Sequence, residues 1–459
     1  MTRYRLELAS PGDGTVETWH YDPVVSHLEN AAGEAVFHPT FPRHPGSFRA
    51  ARAVSPDNPG VKRAVTTLKI QMGFRCNYAC AYCNQASWNG FLGGAVEDAH
   101  MFLRNLDGWF RPAEGDDVRI EFWGGEPFVY WAKLKVLGEE LRRRFPRARF
   151  NVITNGSLLD DEKADWLIAH RFGVQISHDG PAQKYRNPED ILDDPDKRRV
   201  IRKLVEASNL PADGAGEGGP RFALGFGTVL TRWNVSLAAA RRHIEDRLGV
   251  PPGSISHNTE EILLPYDEDA LACLPQDAAE HRRALHVLFR EAANGETVAG
   301  CNSVRAKLED FFHSLGTRRP LLALGQKCGM DREDAIAVNL MGEVTTCHNV
   351  SAADPRHNLG NVRDLEAVRL TSAHHHQTRD ECRACPLVQM CKGSCMFLEC
   401  DLWRAACDVS FTYNLALFAA ALFYLSGRTL TRIAAPEGGF IRRQGSAAVE
   451  AIRLADAHA

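Results

Sequence analysis

Thr67-Leu68-Lys69-Ile70-Gln71 is followed four residues later by Cys76-Asn77-Tyr78-Ala79-Cys80-Ala81-Tyr82-Cys83. The first segment is short, β-branched and apolar enough for a strand, and the second has turn-length spacing between its cysteines. Three thiolates at CxxxCxxC spacing on one loop can hold three irons of a 4Fe–4S cube and leave the fourth without a protein ligand. An open iron is a place for a chelating molecule, so the spacing points to chemistry rather than to a sealed electron-transfer centre. Taken alone, the same three cysteines also suit zinc, and the sequence downstream has to decide.

From Thr66 to about Asn294 strand-like and helix-like segments alternate. The expected strands are Thr67–Gln71, Arg119–Trp123, Phe150–Thr154, Val174–Ser177, Phe222–Val229 and Glu261–Leu264. Between and after them come helices at Val96–Phe110, Trp131–Phe145, Asp160–His170, Asp196–Ser208, Val235–Leu248 and Ala278–Asn294. Six βα units in series predict a parallel α/β layer with right-handed crossovers, either an open sheet or a partial barrel. Such layers carry their functional loops at the C-terminal strand ends, which is where the three cysteines fall. Before this region, Arg3–Leu8, Val16–Tyr21 and Glu34–His38 read as short strands of a β-rich extension, and Ser55–Gly60 as a linker. A peptide-docking element is the alternative reading of that extension. The glycine-rich stretch Ala212–Gly219 reads as a flexible surface loop.

The chain has 459 residues, 13 cysteines and a formal net charge of -4. No broad basic field favours nucleic acid. Met1–Glu7 contains no basic-then-apolar signal segment, so a cytoplasmic location is expected and a disulfide framework is not. The most apolar run, Leu415–Leu425, is too short to span a bilayer and reads as a packed C-terminal helix, so no membrane is expected. Clustered cysteines in such a chain read as metal or iron–sulfur ligands.

Three further motifs close the expected strands. Gly124-Gly125-Glu126-Pro127 follows the second, Thr154-Asn155-Gly156 the third, and Ser177-His178-Asp179-Gly180 the fourth. Two glycines allow close backbone approach, Glu126 offers an acceptor for an ammonium, and the small polar groups suit hydroxyls or a carboxylate. In this order, with Tyr82 before the last cysteine, residues 64–300 resemble the radical S-adenosylmethionine (SAM) superfamily. The resemblance implies a partial (β/α)6 TIM-like barrel. It implies that Cys76, Cys80 and Cys83 bind a 4Fe–4S cluster whose open iron is chelated by SAM. It also implies that Gly124, Gly125 and Glu126 contact the methionyl amine, Ser177 and Asp179 the ribose, and backbone near Tyr82 the adenine. The implied reaction is one-electron cleavage of SAM to a 5′-deoxyadenosyl radical that takes hydrogen from a substrate.

A second group begins at Cys328. Thirteen residues separate it from Gly342 and four more separate Gly342 from Cys347; Cys382-x2-Cys385-x5-Cys391-x3-Cys395 and Cys407 follow. Thiol pairs of this kind commonly hold zinc, but beside the first motif the spacing resembles the SPASM extension with two auxiliary iron–sulfur clusters, expected as 4Fe–4S. Leu359-Gly360-Asn361-Val362 fits the segment between its halves. The resemblance assigns Cys382, Cys385, Cys391 and Cys407 to one cluster, and Cys328, Cys347 and Cys395 to the other. It leaves the second cluster short, because Leu321–Lys327 lacks the additional cysteine found in family members that fully ligate it. An open iron, fewer irons, or completion by Cys301 or Cys400 are the alternatives, and Cys400 is also an alternative to Cys407. The resulting organisation is an extension at 1–62, a radical SAM core at 63–300, an auxiliary-cluster domain at 301–410 and a helical tail at 411–459.

The resemblance implies an oxidoreductase that modifies a ribosomally made precursor peptide (RiPP maturation), forming a C–C, C–O or C–S crosslink, with a flavodoxin- or ferredoxin-type electron donor. A sulfatase-maturing enzyme that makes formylglycine is the nearest alternative; there an acidic base follows the cysteine matching Cys347, where this chain has His348. A non-catalytic electron carrier is a third possibility, disfavoured by the SAM-type motifs. No other catalytic acid or base stands out. Cys273 reads as a buried thiol, His374-His375-His376 as a solvated turn, and Asp190–Arg202 as an exposed loop and helix start. Trp88, Trp123 and Trp233 are core aromatics or the lining of a substrate channel.

Overall fold

A computed structural model describes residues 3–37, 48–89, 94–210, 221–437, 439–444, 447–449 and 451–454; the glycine-rich stretch 212–219 and His38 lie outside them. Its centre is six parallel strands: β1 (Thr67–Gln71), β2 (Arg119–Trp123), β3 (Arg149–Thr154), β4 (Phe172–Ser177), β5 (Ala223–Leu230) and β6 (Ser256–Ile262). Sheet neighbours are also chain neighbours. That sequential order is the order of a partial barrel rather than of a doubly wound sheet, whose strand order reverses. The crossover and flanking helices are α1 (Val96–Leu106), α2 (Trp131–Arg144), α3 (Asp161–Ala169), α4 (Pro195–Asn209), α5 (Leu237–Leu248) and α6 (Ala278–Ala292).

Local chemistry sets the helix ends. Asp160, Asp194, Ser236 and Asp277 each accept backbone N–H bonds of the first turn, replacing partners those groups lack inside a helix. Gly249 closes α5 in the left-handed conformation at φ 66°, which costs glycine nothing. α1 buries Ala99, Phe102, Leu103 and Leu106, the i, i+3, i+4, i+7 stripe of a helix lying on a sheet.

The sheet's two faces differ. Leu68, Ile70, Ile120, Phe122, Phe150, Val152, Phe172 and Val174 are buried in the core they share with α1 to α4. The alternate positions turn inward and are polar or glycine. In register, Lys69, Glu121, Asn151, Gly173 and Ala223 form one level. Gln175, Gly225 and Ser256 form the next, and Ser177, Gly227 and Asn258 the level above. A parallel strand buried on both faces reads as a continuous apolar run, so this alternation leaves an open lumen. It also explains one correction: the last strand, expected at Glu261–Leu264, runs from Ser256 to Ile262, because its lumen-facing Ser256 and Asn258 hide it from an apolar-run reading.

Beyond β1 the sheet continues with β7 (Ala335–Asn339), parallel to β1, and the antiparallel β8 (Glu343–Thr345) and β9 (Asn358–Asn361). The nine strands form one sheet, which carries the cysteine-rich region to the barrel wall. The N-terminal extension shares a sheet with the C-terminal segment: Tyr4–Ala9 pairs with Val16–Asp22 and with Thr429–Ala434, and Ala451–Arg453 pairs beyond the latter. The third N-terminal strand is His27–Glu29 rather than Glu34–His38, where Ala35 makes only a bridge to Glu29.

Helix α7 (Asn302–Thr317) and helix α8 (Cys400–Ser426) pack together, and α8 also packs on α6. Helix α8 is long and apolar enough to cross a membrane, yet 78% of its most apolar window is buried inside the protein. Its Phe418 ring meets Tyr21 and Phe311 at 5.4 and 5.6 Å, the packing of a core helix. Two other expectations are corrected. His375 and His376 are buried, with the His376 N–H bonded to Gln326 Oε1 at 3.0 Å, so only His374 meets the surface. Ile191 and Leu192 are buried in the core and Asp190 binds His178, so Asp190–Arg202 is not a simple exposed segment.

Candidate active site

The loop holding Cys76, Cys80 and Cys83 is gripped from three strand ends. From the end of β2, Gly125 N–H donates to Gly73 O at 3.0 Å and Glu126 N–H to Arg75 O at 3.0 Å. From the end of β3, Asn155 Nδ2 donates to Asn77 Oδ1 at 2.9 Å. From the end of β4, Asp179 accepts a short hydrogen bond from the Tyr82 hydroxyl, and Ala81 N–H donates to Tyr185 O at 3.1 Å. The buried Cys273 thiol adds a contact to Ala81 O. Three separate sequence motifs therefore converge on the cysteine loop.

Glycine is required at the tightest of these contacts. A Cβ on Gly125 would stand 2.3 Å from Phe74 O and 2.6 Å from Arg75 O, both backbone atoms that cannot swing aside. Gly125→Ala is expected to destabilise the protein by about 1–3 kcal/mol, read as a lower urea midpoint.

The Glu126 carboxylate is buried and fully engaged. It accepts from Phe128 N–H at 3.0 Å, the Thr154 hydroxyl at 2.7 Å and Asn155 N–H at 2.7 Å. Burial pushes its carboxyl up, against those three bonds. It ties the β2 and β3 ends together. Asp179 is similarly committed, through Oδ1 to Val229 N–H at 3.0 Å and Oδ2 to Tyr82. Ser177 stands at the end of β4 opposite Gly227.

Arg186 is a residue the motif reading missed. It is buried, its guanidinium lies 5.7 Å from the Tyr82 ring centroid and 3.8 Å from Asp179, and its Nε has no hydrogen-bond partner. Burial opposes its charge, but Tyr82, Asp179, Cys80 and Cys83 hold its pKa above the usual arginine range. Burial also pushes Cys76, Cys80 and Cys83 up, Cys80 to about 11, and Arg186 works against that rise. Three desolvated thiolates need positive charge; Arg186 supplies part, and iron would supply the rest. Cys76, Cys80 and Cys83, with the buried Arg186 cation beside them, fit an anionic metal cluster.

Seven of the other cysteines fall into two groups. Cys382, Cys385, Cys391 and Cys407 line one small cavity with Trp403, Phe411 and Arg442. Arg442, another residue invisible to motif reading, reaches back from the C-terminal hairpin to within 3.7 Å of Cys407 Sγ and 2.7 Å of Asp408. Burial and then the neighbouring thiols push Cys382 far above its usual range, and burial pushes Cys391 to about 11. Four converging thiols around an enclosed apolar cavity suit a cluster. Cys328, Cys347 and Cys395 form the second group: burial pushes Cys347 up to about 12, with Cys328 and Cys395 adding to it. Cys301 packs in the core with its thiol 3.6 Å from Ser303 Oγ, and Cys400 stands exposed at the start of α8.

The trio abuts the barrel lumen. His348, next to Cys347, stacks on the lumen-facing Trp123 with ring centroids 3.6 Å apart. Gln71 Nε2 from the end of β1 and Gln85 Nε2 just beyond Cys83 donate to His348 O at 3.0 and 3.3 Å. His348 lines a cleft of about 430 Å³ with Lys69, Glu121, Asn151, Gln175, Ser256 and Asn258 among its polar residues. Lys69 and Glu121 neutralise each other at 2.8 Å. Desolvation, then Lys69, pushes the His348 imidazole well below its usual range, so it stays neutral. Trp233 instead stacks on Tyr185 at 3.9 Å, and Trp88 packs near Phe74.

His178, Asp190 and His243 could also hold a metal by proximity. The hydrogen bonds argue otherwise. Gly180 N–H donates to His178 Nδ1 at 3.0 Å, so Nε2 carries the proton and donates to Asp190 Oδ1 at 2.9 Å. A metal at Nε2 would put the ring proton on Nδ1, where the Gly180 N–H offers it no acceptor. The trio braces the β4 loop that presents Asp179.

Comparison with known proteins agrees with this geometry. Residues 70–209 match the family described as the Radical SAM superfamily. The radical SAM cyclopropyl synthase TigE of Paramaledivibacter caminithermalis is 22% identical over 142 residues, 28% of this chain and 30% of TigE. The S-adenosylmethionine-dependent nucleotide dehydratase of Psychrobacter lutiphocae is 28% identical over 106 residues, 21% of this chain and 34% of that protein. The matched stretch is thus about a third of each relative. Among solved structures, anSMEcpe with bound AdoMet aligns with a TM-score of 0.53 at 16% identity, covering 79% of this chain and 98% of that one. The same protein with AdoMet and the Cp18Cys peptide aligns at 0.51, with 79% and 99% covered. At such identity the likeness establishes the fold.

Proposed function

We propose, for a chain that carries a radical SAM domain and a cysteine-rich C-terminal region of SPASM type, that it modifies a peptide by hydrogen abstraction followed by oxidation, forming a side-chain crosslink. Cys76, Cys80 and Cys83 would hold the reducing cluster. Gly124 and Gly125 backbone, with Ser177, Asp179 and the backbone at Tyr82, would seat SAM, and Arg186 would balance the negative charge of thiolates and carboxylate. Cys382, Cys385, Cys391 and Cys407 would hold one auxiliary cluster, and Cys328, Cys347 and Cys395 the other. With those groups bound, SAM supplies a 5′-deoxyadenosyl radical and the auxiliary clusters accept the electron that the substrate loses.

What the residues themselves contribute is placement. The polar lumen admits a side chain: the amides of Asn151, Gln175 and Asn258 make no hydrogen bond within the described residues and are free to donate and accept. Gly173, Gly225 and Gly227 keep the volume open. Trp123 and His348 form the wall towards Cys347. The single observation that carries the reading is this shared wall, because it sets an oxidant's site against the space where substrate reacts. A sulfatase-type oxidation is the second reading, kept open by the likeness to anSMEcpe, although His348 stands where that pattern has an acidic base. A flavodoxin- or ferredoxin-type donor and a cytoplasmic location go with either.

Anaerobic co-expression with the short open reading frames beside this gene, followed by intact and tandem mass spectrometry, tests the proposal. Loss of two hydrogens from one peptide, with a fragmentation gap between two residues, supports a crosslink. Conversion of Cys or Ser to formylglycine in that peptide supports the second reading. Unchanged peptides in a sample that cleaves SAM would overturn both.

His348 gives a sharper expectation. As the side chain that stacks on Trp123 between Cys347 and the lumen, His348 positions substrate, and its replacement in His348→Gln should cut modified product by about 100-fold. 5′-Deoxyadenosine formation should change little, since that step precedes oxidation of the substrate. Because the imidazole is held well below about 6.5, product yield should show no inflection at ordinary imidazole pH. Equal loss of both products would assign His348 to SAM binding instead.

A further inference from the structure

The three-cysteine site lacks a fourth thiol, and a tyrosine faces it. Tyr266 follows β6 at the mouth of the barrel, and its hydroxyl donates to Cys395 Sγ at 3.5 Å, within reach of a bond to sulfur. The charges that bear on this phenol come from Cys395, Cys347 and Cys328, the whole trio. It packs against the apolar group of Cys382, Cys395, Leu398, Trp403 and Ala406, where the two auxiliary sites meet. The next residue, Asp267, bears on Cys83, so this two-residue segment stands between the loop of the first cluster and the trio.

We propose that Tyr266 caps the three-cysteine site as a hydrogen-bond donor to Cys395, and that it raises the reduction potential of the cluster held there. The inference rests on the assignment of an auxiliary cluster to Cys328, Cys347 and Cys395. A hydrogen bond to a ligand sulfur stabilises the more negative, reduced state, and hydrogen bonding to sulfurs is one of the main determinants of cluster potential. Tyr266 is a positioning residue here: it acts on the cluster through Cys395. A higher potential makes this site the better acceptor of the electron that leaves a substrate radical at the shared lumen wall.

The test is an EPR-monitored redox titration of the anaerobically reconstituted full chain. The triple variant Cys328→Ala, Cys347→Ala, Cys395→Ala first identifies the signal of this site by its loss. If iron content and spectrum are unchanged in that variant, the cluster assignment itself falls, and the inference with it. In Tyr266→Phe the midpoint of the identified signal should move to a more negative potential, with the Cys76–Cys83 cluster signal unmoved. Site-specific 3-fluorotyrosine at position 266 keeps the ring and strengthens the donor, so it should move the midpoint the opposite way. A purely structural role would not give opposite shifts. Unmoved midpoints in both proteins would overturn the proposal. Iron–phenolate vibrations in resonance Raman, lost in Tyr266→Phe, would overturn it too, since a ligating oxygen has no proton to donate.

Discussion

Replacing Cys76, Cys80 and Cys83 together with alanine should remove about four irons per chain and lower 5′-deoxyadenosine formation at least about a thousandfold, equivalent to about 4 kcal/mol in barrier. The size of the effect follows from the geometry. The three thiols sit on one loop clamped by Gly125, Glu126, Asn155 and Asp179. Seven of the remaining cysteines belong to two groups with their own surroundings, so iron and visible absorbance from those groups should persist. Iron analysis, absorbance and chromatography of the SAM products in one anaerobic sample check this. A triple variant that still cleaves SAM would remove the proposed active site; one that loses all iron would mean the three sites do not assemble independently.

Glu261→Ala should destabilise the protein by about 3–5 kcal/mol, and Glu261→Gln by less. The strand β6 bulges at Glu261, where the register with β5 shifts and φ is 124°, a backbone value that side chains other than glycine rarely adopt. The bulge turns the carboxylate into the interior, where it pairs with Lys307, with Lys327 at 3.3 Å and with the Ser410 hydroxyl at 3.2 Å. Truncation leaves two ammonium groups facing each other across a buried gap beside Cys391, whose thiol feels both lysines. Chemical denaturation measures the loss. Burial alone would raise the Glu261 pKa, but Lys307 and Lys327 outweigh it and hold it below the usual carboxylate value. Stability from this group is therefore present above about pH 4.3, the value in the unfolded chain. It disappears as pH falls through the lower folded value. Glu261→Gln should lose that acid-side dependence. A wild-type pH profile in the glutamine variant would mean that another carboxylate carries it.

The βα alternation was legible because each outward strand face is apolar and each helix has a buried stripe, both local patterns. The inward face was less so. Ser256 and Asn258 in β6 look like loop residues until the sheet curls and gives them a lumen to line. The same curvature made Glu261 look like a strand start when it is a bulge near the strand's end. His375 and His376 looked solvated by composition, and the partner that meets them, the Gln326 side chain accepting from the His376 backbone N–H, lies fifty residues away in sequence.

The sequence by itself determined the chemistry: cysteine spacing sets which thiols can share a metal, and glycine placement sets where backbone can approach a ligand. Those requirements are short-range and leave their mark within a few residues. Only the tertiary structure decided which partners complete each site. Arg186 beside Cys80 and Cys83, Arg442 on Cys407, Tyr266 on Cys395 and His348 at the lumen wall are brought in by contacts between distant elements. Their charges and hydrogen bonds act through space over a few ångströms, and linear spacing carries no record of that distance.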